Sequence, residues 1–194
     1  MFNRKERSML KTTLRTAALI SAVIGVGAVA YASSNPEVGG APMYDNKTIV
    51  ENAVNSKDHT TLVAAVKAAG LVDTLNGAGP FTVFAPTNEA FAALPAGTVD
   101  TLLKPENKDQ LVKVLTCHVV AADAMSAAID KMIKDDGGSH DVKTVGGCTL
   151  KATEMGGKIM LTDEMGNMAT VTIADVKQKN GVIHVIDKVL LPKA

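Results

Sequence analysis

Cys117 and His118 stand side by side inside the aliphatic run "LVKVLTCHVV", Leu111 to Val120, with a second cysteine at Cys148. A thiolate with an imidazole base within reach is a nucleophile for acyl transfer. A cysteine and a histidine together are also half of a metal site, and a third possibility is that both residues only build structure. A softer donor set follows in "EMGGKIMLTDEMGNM", where Met155, Met160, Met165 and Met168 crowd together. Thioether sulfur suits Cu(I), so these four, with His140 and His184 in the same half of the chain, define an alternative reading as a periplasmic copper-binding protein. Methionine is equally a flexible core filler. In a chain with 3% aromatic residues and no tryptophan, packing is the preferred role of these methionines and no metal is assigned to them.

Sequence geometry weighs against shared chemistry at Cys117-His118. The "CHVV" run reads as extended, and neighbours on a strand point to opposite faces, whereas a nucleophile and its base need to approach within about 3 Å. His118 is therefore expected to bond to backbone or to a polar group of the "APTNEAF" segment, and His184, within "GVIHVI", to be structural in the same way. The carboxylates form no catalytic pair. Asp135-Asp136 read as a solvated helix end, Glu89 as a residue suited to a helix N-terminus, and Asp187 as a bond across to a neighbouring strand. The sequence contains no H-E-x-x-H pair, G-x-S-x-G elbow, phosphate loop or acidic calcium loop. The chain is read as a non-enzyme without a cofactor.

The compartment decides how the cysteines are read. A basic opening (Arg4, Lys5, Arg7, Lys11, Arg15) precedes the uncharged run Ala17 to Val29 and the small residues of Ala30-Tyr31-Ala32. Residues 1–32 are thus expected to be a signal peptide cut after Ala32. Its apolar run is short beside the roughly 20 residues a membrane span needs, so membrane contact is expected only in transit. The remaining 162 residues carry 20 − 5 = 15 basic and 20 − 1 = 19 acidic side chains, a net of −4. Acidic and poor in aromatics, that part has neither the charge for nucleic acid nor the rings for base or sugar stacking. Two cysteines in an exported chain are most economically one disulfide, Cys117 to Cys148.

The elements that must hold these residues follow from periodicity. "SSNPEVGGAPMYD", residues 33–45, reads as a flexible linker. Helical spacing runs from Asn46 to Gly70, with a third short piece ending at Gly77 and Gly79. "GPFTVFAP" is a short strand, and Thr87 or Asn88 caps the helix that follows it. Two further helices lead to "CHVV", and another spans Ala124 to Lys134. The rest alternates as short strands between glycine-rich turns: "HDVKTV", "CTLKAT", "KIMLT", "MATVTIADV", "GVIHVI" and "KVLL". The class is α+β, with helices mainly in the first half and mostly antiparallel strands in the second.

Three of these segments, in order, resemble one family. "FTVFAPTNEAF" is similar to the first signature of the fasciclin-like domain, "LVKVLTCHVV" to its middle segment, and "NGVIHVIDKVLLP" to its last. The resemblance covers roughly Asp45 to Pro192, and the domain is placed at residues 46–194. It implies a β-wedge or sandwich flanked by helices, with Phe81, Thr82, Phe84, Pro86, Thr87, Phe91, His118, Asn180, Gly181, His184 and Asp187 as signature positions that build structure. It further implies adhesion or binding to proteins or glycans of an envelope or matrix, with self-association possible, in a periplasmic or extracellular setting. The chain departs from the family where Cys117 replaces a tyrosine, which matches the presence of Cys148. At Asp175-Val176 the flanks Ile173, Ala174 and Lys177 match the family's integrin-binding stretch poorly, so integrin binding is not expected.

Overall fold

Capping chemistry opens the helices where the sequence supplies it. In the computed structural model, which describes residues 35–193, Thr48 starts α1 (Ile49–Ala53). Its hydroxyl accepts from Glu51 N at 3.3 Å, while the Glu51 carboxylate accepts from Thr48 N at 2.8 Å. Two short strands precede it, β1 (Glu37–Val38) and β2 (Ala41–Pro42). After a short turn, α2 (Thr60–Ala69) ends at Gly70, whose φ of +73° closes the last turn. Then come α3 (Val72–Leu75) and β3 (Phe81–Pro86). Thr87 caps α4 (Asn88–Ala92), its hydroxyl accepting from Ala90 N at 3.3 Å. Asn88 does not cap. It reaches across to the start of α2, accepting from Thr61 N and donating to Lys57 O.

The middle of the chain supplies α5 (Thr98–Leu102), α6 (Lys108–Thr116), β4 (Val119–Val120) and α7 (Ser126–Asp135). Five strands complete it: β5 (Ser139–Lys143), β6 (Thr149–Met155), β7 (Lys158–Thr162), β8 (Met168–Gln178) and β9 (Gly181–Ile186). The seven longer-range strands form one sheet in the order β4-β3-β9-β8-β7-β6-β5. Only β3 and β9 are parallel, in register from Phe81 beside Gly181 to Pro86 beside Ile186. Gly181 is required there, since a side chain at its φ of +155° would put Cβ 1.9 Å from the Phe81 carbonyl oxygen.

These two strands are covered on both faces, which explains a sequence that is apolar apart from Thr82 and His184. Val83, Ala85, Ile183 and Val185 pack with α1 to α6 in the larger core. Phe84 and Ile186 face the second core, where Ile129 and Ile133 of α7 meet Leu150, Leu161 and Val171. The fold is α+β, as the sequence predicts.

Three local expectations need correction, and the expected leader, residues 1–32, lies outside the described residues. Residues 35–45, within the expected linker, are anchored. The strands β1 and β2 pair around a Gly39-Gly40 turn, and Val38, Ala41 and Met43 are buried in the larger core. Their apolar side chains are too few for a period to show among Gly and Pro. "CHVV" is extended only at Val119-Val120. Cys117 closes α6 with helical dihedrals (φ −68°, ψ −14°), so the strand-alternation argument does not apply at that pair. "KVLL" is no strand either. Two of its amides are taken by side chains, with Leu190 N donating to His118 and Leu191 N to Asp163. No neighbouring strand is left to claim them.

Candidate functional site

The signature residues meet in the interior as a polar frame. At the end of α6, His118 is 2% exposed. Its Nδ1 donates to Val114 O at 2.8 Å and its Nε2 accepts from Leu190 N at 2.9 Å. Both ring nitrogens are thus used by backbone, and burial pushes the imidazole pKa down to about 4. On β9, fully buried His184 takes the opposite tautomer. Its Nε2 donates to Ala124 O at 2.8 Å and its Nδ1 accepts from Asp175 N at 3.2 Å, while its ring stacks on Phe84 at 5.7 Å. Burial again holds its pKa low. No partner from "APTNEAF" bonds to His118.

Neighbouring side chains extend this frame. The Thr82 hydroxyl donates to Ala122 O at 2.6 Å and accepts from Ala124 N at 2.8 Å, fixing the approach to α7. Asn180 joins three elements by accepting from Ile49 N (3.0 Å) and donating to Leu75 O (2.7 Å) and Gly77 O (2.9 Å). Asp187 accepts from Thr170 N at 2.7 Å on the adjacent strand. Phe91 is buried against the larger core. Pro86 ends β3 beside Ile186.

Cys117 and Cys148 form the disulfide, with Cα atoms 5.4 Å apart and both residues buried. The loop carrying Cys148 lies flat against the end of α6, with Gly146 N donating to Thr116 O at 3.0 Å and Val145 N to Val119 O at 2.8 Å. A side chain at Gly146 would put Cβ 2.7 Å from the Thr116 hydroxyl. The sulfur of Cys117 is therefore in a covalent bond, and His118 faces Leu190 instead. That geometry can perform neither nucleophilic attack nor joint metal ligation.

The four methionines are not gathered. Met155 precedes the turn that enters β7, whereas Met165 and Met168 follow its exit. Five strand residues at 3.3 Å each set those ends about 16 Å apart, far beyond a shared soft-metal centre. Met160, half-buried, lies between them. His140 bonds Asp136 at 2.6 Å on the neighbouring helix end, and His184 is in the frame described above. That spacing argues against one centre shared by all four methionines and lends the copper reading no support.

Sequence reasoning missed the acidic residues that do most of the internal holding. Asp163 is 5% exposed and accepts from Met165 N, Asn167 N, Asn167 Nδ2 and Leu191 N at 2.8–2.9 Å. Glu164 accepts from Thr149 N and Lys193 N, each at 3.0 Å, and these bonds hold its carboxyl below the usual range. Asp175, at φ +60°, accepts from Ser126 N at 2.7 Å and so starts α7. "DEMGN" carries an Asx-turn signal that could have located the Asp163 turn. Nothing local signals its bond to Leu191, 28 residues away.

The fasciclin domain family model matches residues 57–192. The chain belongs to this family. Among curated relatives, Protein sll1483 of Synechocystis sp. is 53% identical over 145 residues, covering 75% of this chain and 73% of that protein. Cell surface glycolipoprotein MPB83 of Mycobacterium bovis is 36% identical over 189 residues, covering 94% and 78%. Among solved structures, a FAS1 domain pair from the insect cell adhesion molecule Fasciclin I aligns with a TM-score of 0.68 at 20% identity. That match covers 75% of this chain, which spans about half (51%) of the solved one, and it shows the shared fold. In this fasciclin domain Asp175 is tied to α7 and Val176 is fully buried.

Proposed function

We propose that this fasciclin domain is an exported, non-catalytic binding module that attaches to a protein or glycan of the cell envelope or its surroundings, in periplasmic or extracellular space. One observation carries the reading: the two cysteines and the two signature histidines are spent on structure. Both cysteines are bonded to each other, and His118 and His184 each use both ring nitrogens on backbone groups. What remains for function is the surface of a braced scaffold, where affinity comes from complementary patches. The likeness to a protein named a cell surface glycolipoprotein supports the setting. The basic-then-apolar opening and the disulfide are what an exported chain carries.

The test is co-sedimentation of oxidised protein with envelope fractions of the producing cells. Saturable binding that unlabelled protein competes away is expected. Absence of binding to any envelope fraction would remove the reading.

A further inference from the structure

The most distinctive open surface lies along the C-terminal strap, residues 187–193, where it passes the α4–α5 loop and the β7–β8 turn. Two adjoining hollows of about 470 and 260 Å³ share Met165 and Leu191 as a common wall. Leu94, Val189 and Pro192 add to an apolar floor, and Met165 is 58% exposed above it. The charges that line the two hollows are Lys113, Lys188 and Lys193, and no carboxylate lines either one. Glu164 lies close by as a carboxylate that accepts from Lys193 N and Thr149 N, one negative charge beside three lysines. An excess of lysine at this rim stands out on a domain whose residues 35–194 carry 15 basic against 19 acidic side chains.

We infer that this groove docks a segment of a partner protein that presents two aliphatic side chains flanked by carboxylates. Each hollow takes one aliphatic anchor, and the three ammonium groups meet the acidic flanks. Exposed methionine between the anchors lets the wall adapt to their shape. Two open hollows divided by Met165 and Leu191 suit separate side chains better than one continuous acyl chain, which calls for an enclosed channel. The strap is stiff enough to serve as a floor, because His118, Asp163 and Glu164 hold its amides from beneath. The inference rests on the binding-module reading and names where and what it binds.

The probe is a fluorescein-labelled peptide alternating leucine with glutamate, followed by fluorescence anisotropy against the oxidised chain from Ser33. Its counterpart carries lysine in place of glutamate, and phosphatidylglycerol vesicles form a third arm. The acidic peptide should bind at least roughly tenfold tighter than the basic one and weaken as salt is raised. Met165→Glu, or Lys113→Glu with Lys188→Glu, should cut that affinity by roughly tenfold or more without lowering Tm, since all three side chains are exposed. Equal affinity for both peptides, indifference to these substitutions, or binding to the vesicles in place of the peptide would overturn the inference. Envelope co-sedimentation of Met165→Glu separates the two levels. Binding as strong as wild type sinks the groove and leaves the module reading standing, whereas wild-type protein that binds no envelope sinks both.

Discussion

His118 and His184 are each acceptor to one backbone amide and donor to one carbonyl, so neither can take a second proton without losing a bond. Burial lowers both pKa values, that of His118 to about 4, and lowers that of buried His59 as well. The unfolded chain takes up these protons near 6.5, the ordinary imidazole value; the folded chain refuses them until the pH is lower. Stability is therefore complete above that value and falls as pH drops toward about 4. His118 alone accounts for roughly 3 kcal/mol of this loss. Urea denaturation at pH 7.5, 6 and 4.5 should show the midpoint dropping at each step, and a flat profile would contradict the buried neutral state. Asn180→Ala removes three bonds linking α1, α3 and β9 and should cost about 3 kcal/mol in the same assay at pH 7.5. Asn180 and His118 were identifiable from the signature segments, but their partners Ile49 and Leu190 were not. Those contacts span 131 and 72 residues, and no local period encodes them.

Among the elements, the C-terminal strap and α6 carry the most testable claims. "KVLL" has a strand's composition, yet side chains rather than a neighbouring strand take the amides of Leu190, Leu191 and Lys193. Asp163→Ala would leave the amides of Met165, Asn167 and Leu191 without that acceptor. A loss of about 3 kcal/mol is expected, with hydrogen exchange accelerating at Leu191 ahead of the sheet. The disulfide joins the end of α6 to the start of β6 across a separation of 31 residues. Replacing both cysteines by serine should lower stability by about 3–4 kcal/mol in the chain-entropy account, read as a shift in denaturant midpoint. The pairing was legible from the cysteine count and the leader-like opening, whereas the helical end at Cys117 was not. Cys117 ends a helix, and the close approach of the Gly146 loop brings Cys148 to it.

For the molecule as a whole, helices before strands, an apolar β3 and β9, and three signature runs in order made the α+β class legible. The parallel pairing of β3 with β9 joins runs 100 positions apart. The hairpin at residues 37–42 escaped notice because each of its strands is two residues long. The scattered methionines show the same limit: a cluster in sequence is pulled apart by a strand that runs between its members. What unites these scales is a scaffold whose cysteines and signature histidines are spent on bracing, which is why it is proposed as an exported binding module. Intact mass, native and denatured, of the protein recovered from cells after its own export and without chelator tests this most directly. The account predicts a chain beginning at Ser33, two hydrogens lighter than its reduced form, with no metal retained in the native spectrum. Two free thiols, or a copper adduct that survives native desolvation, would contradict it.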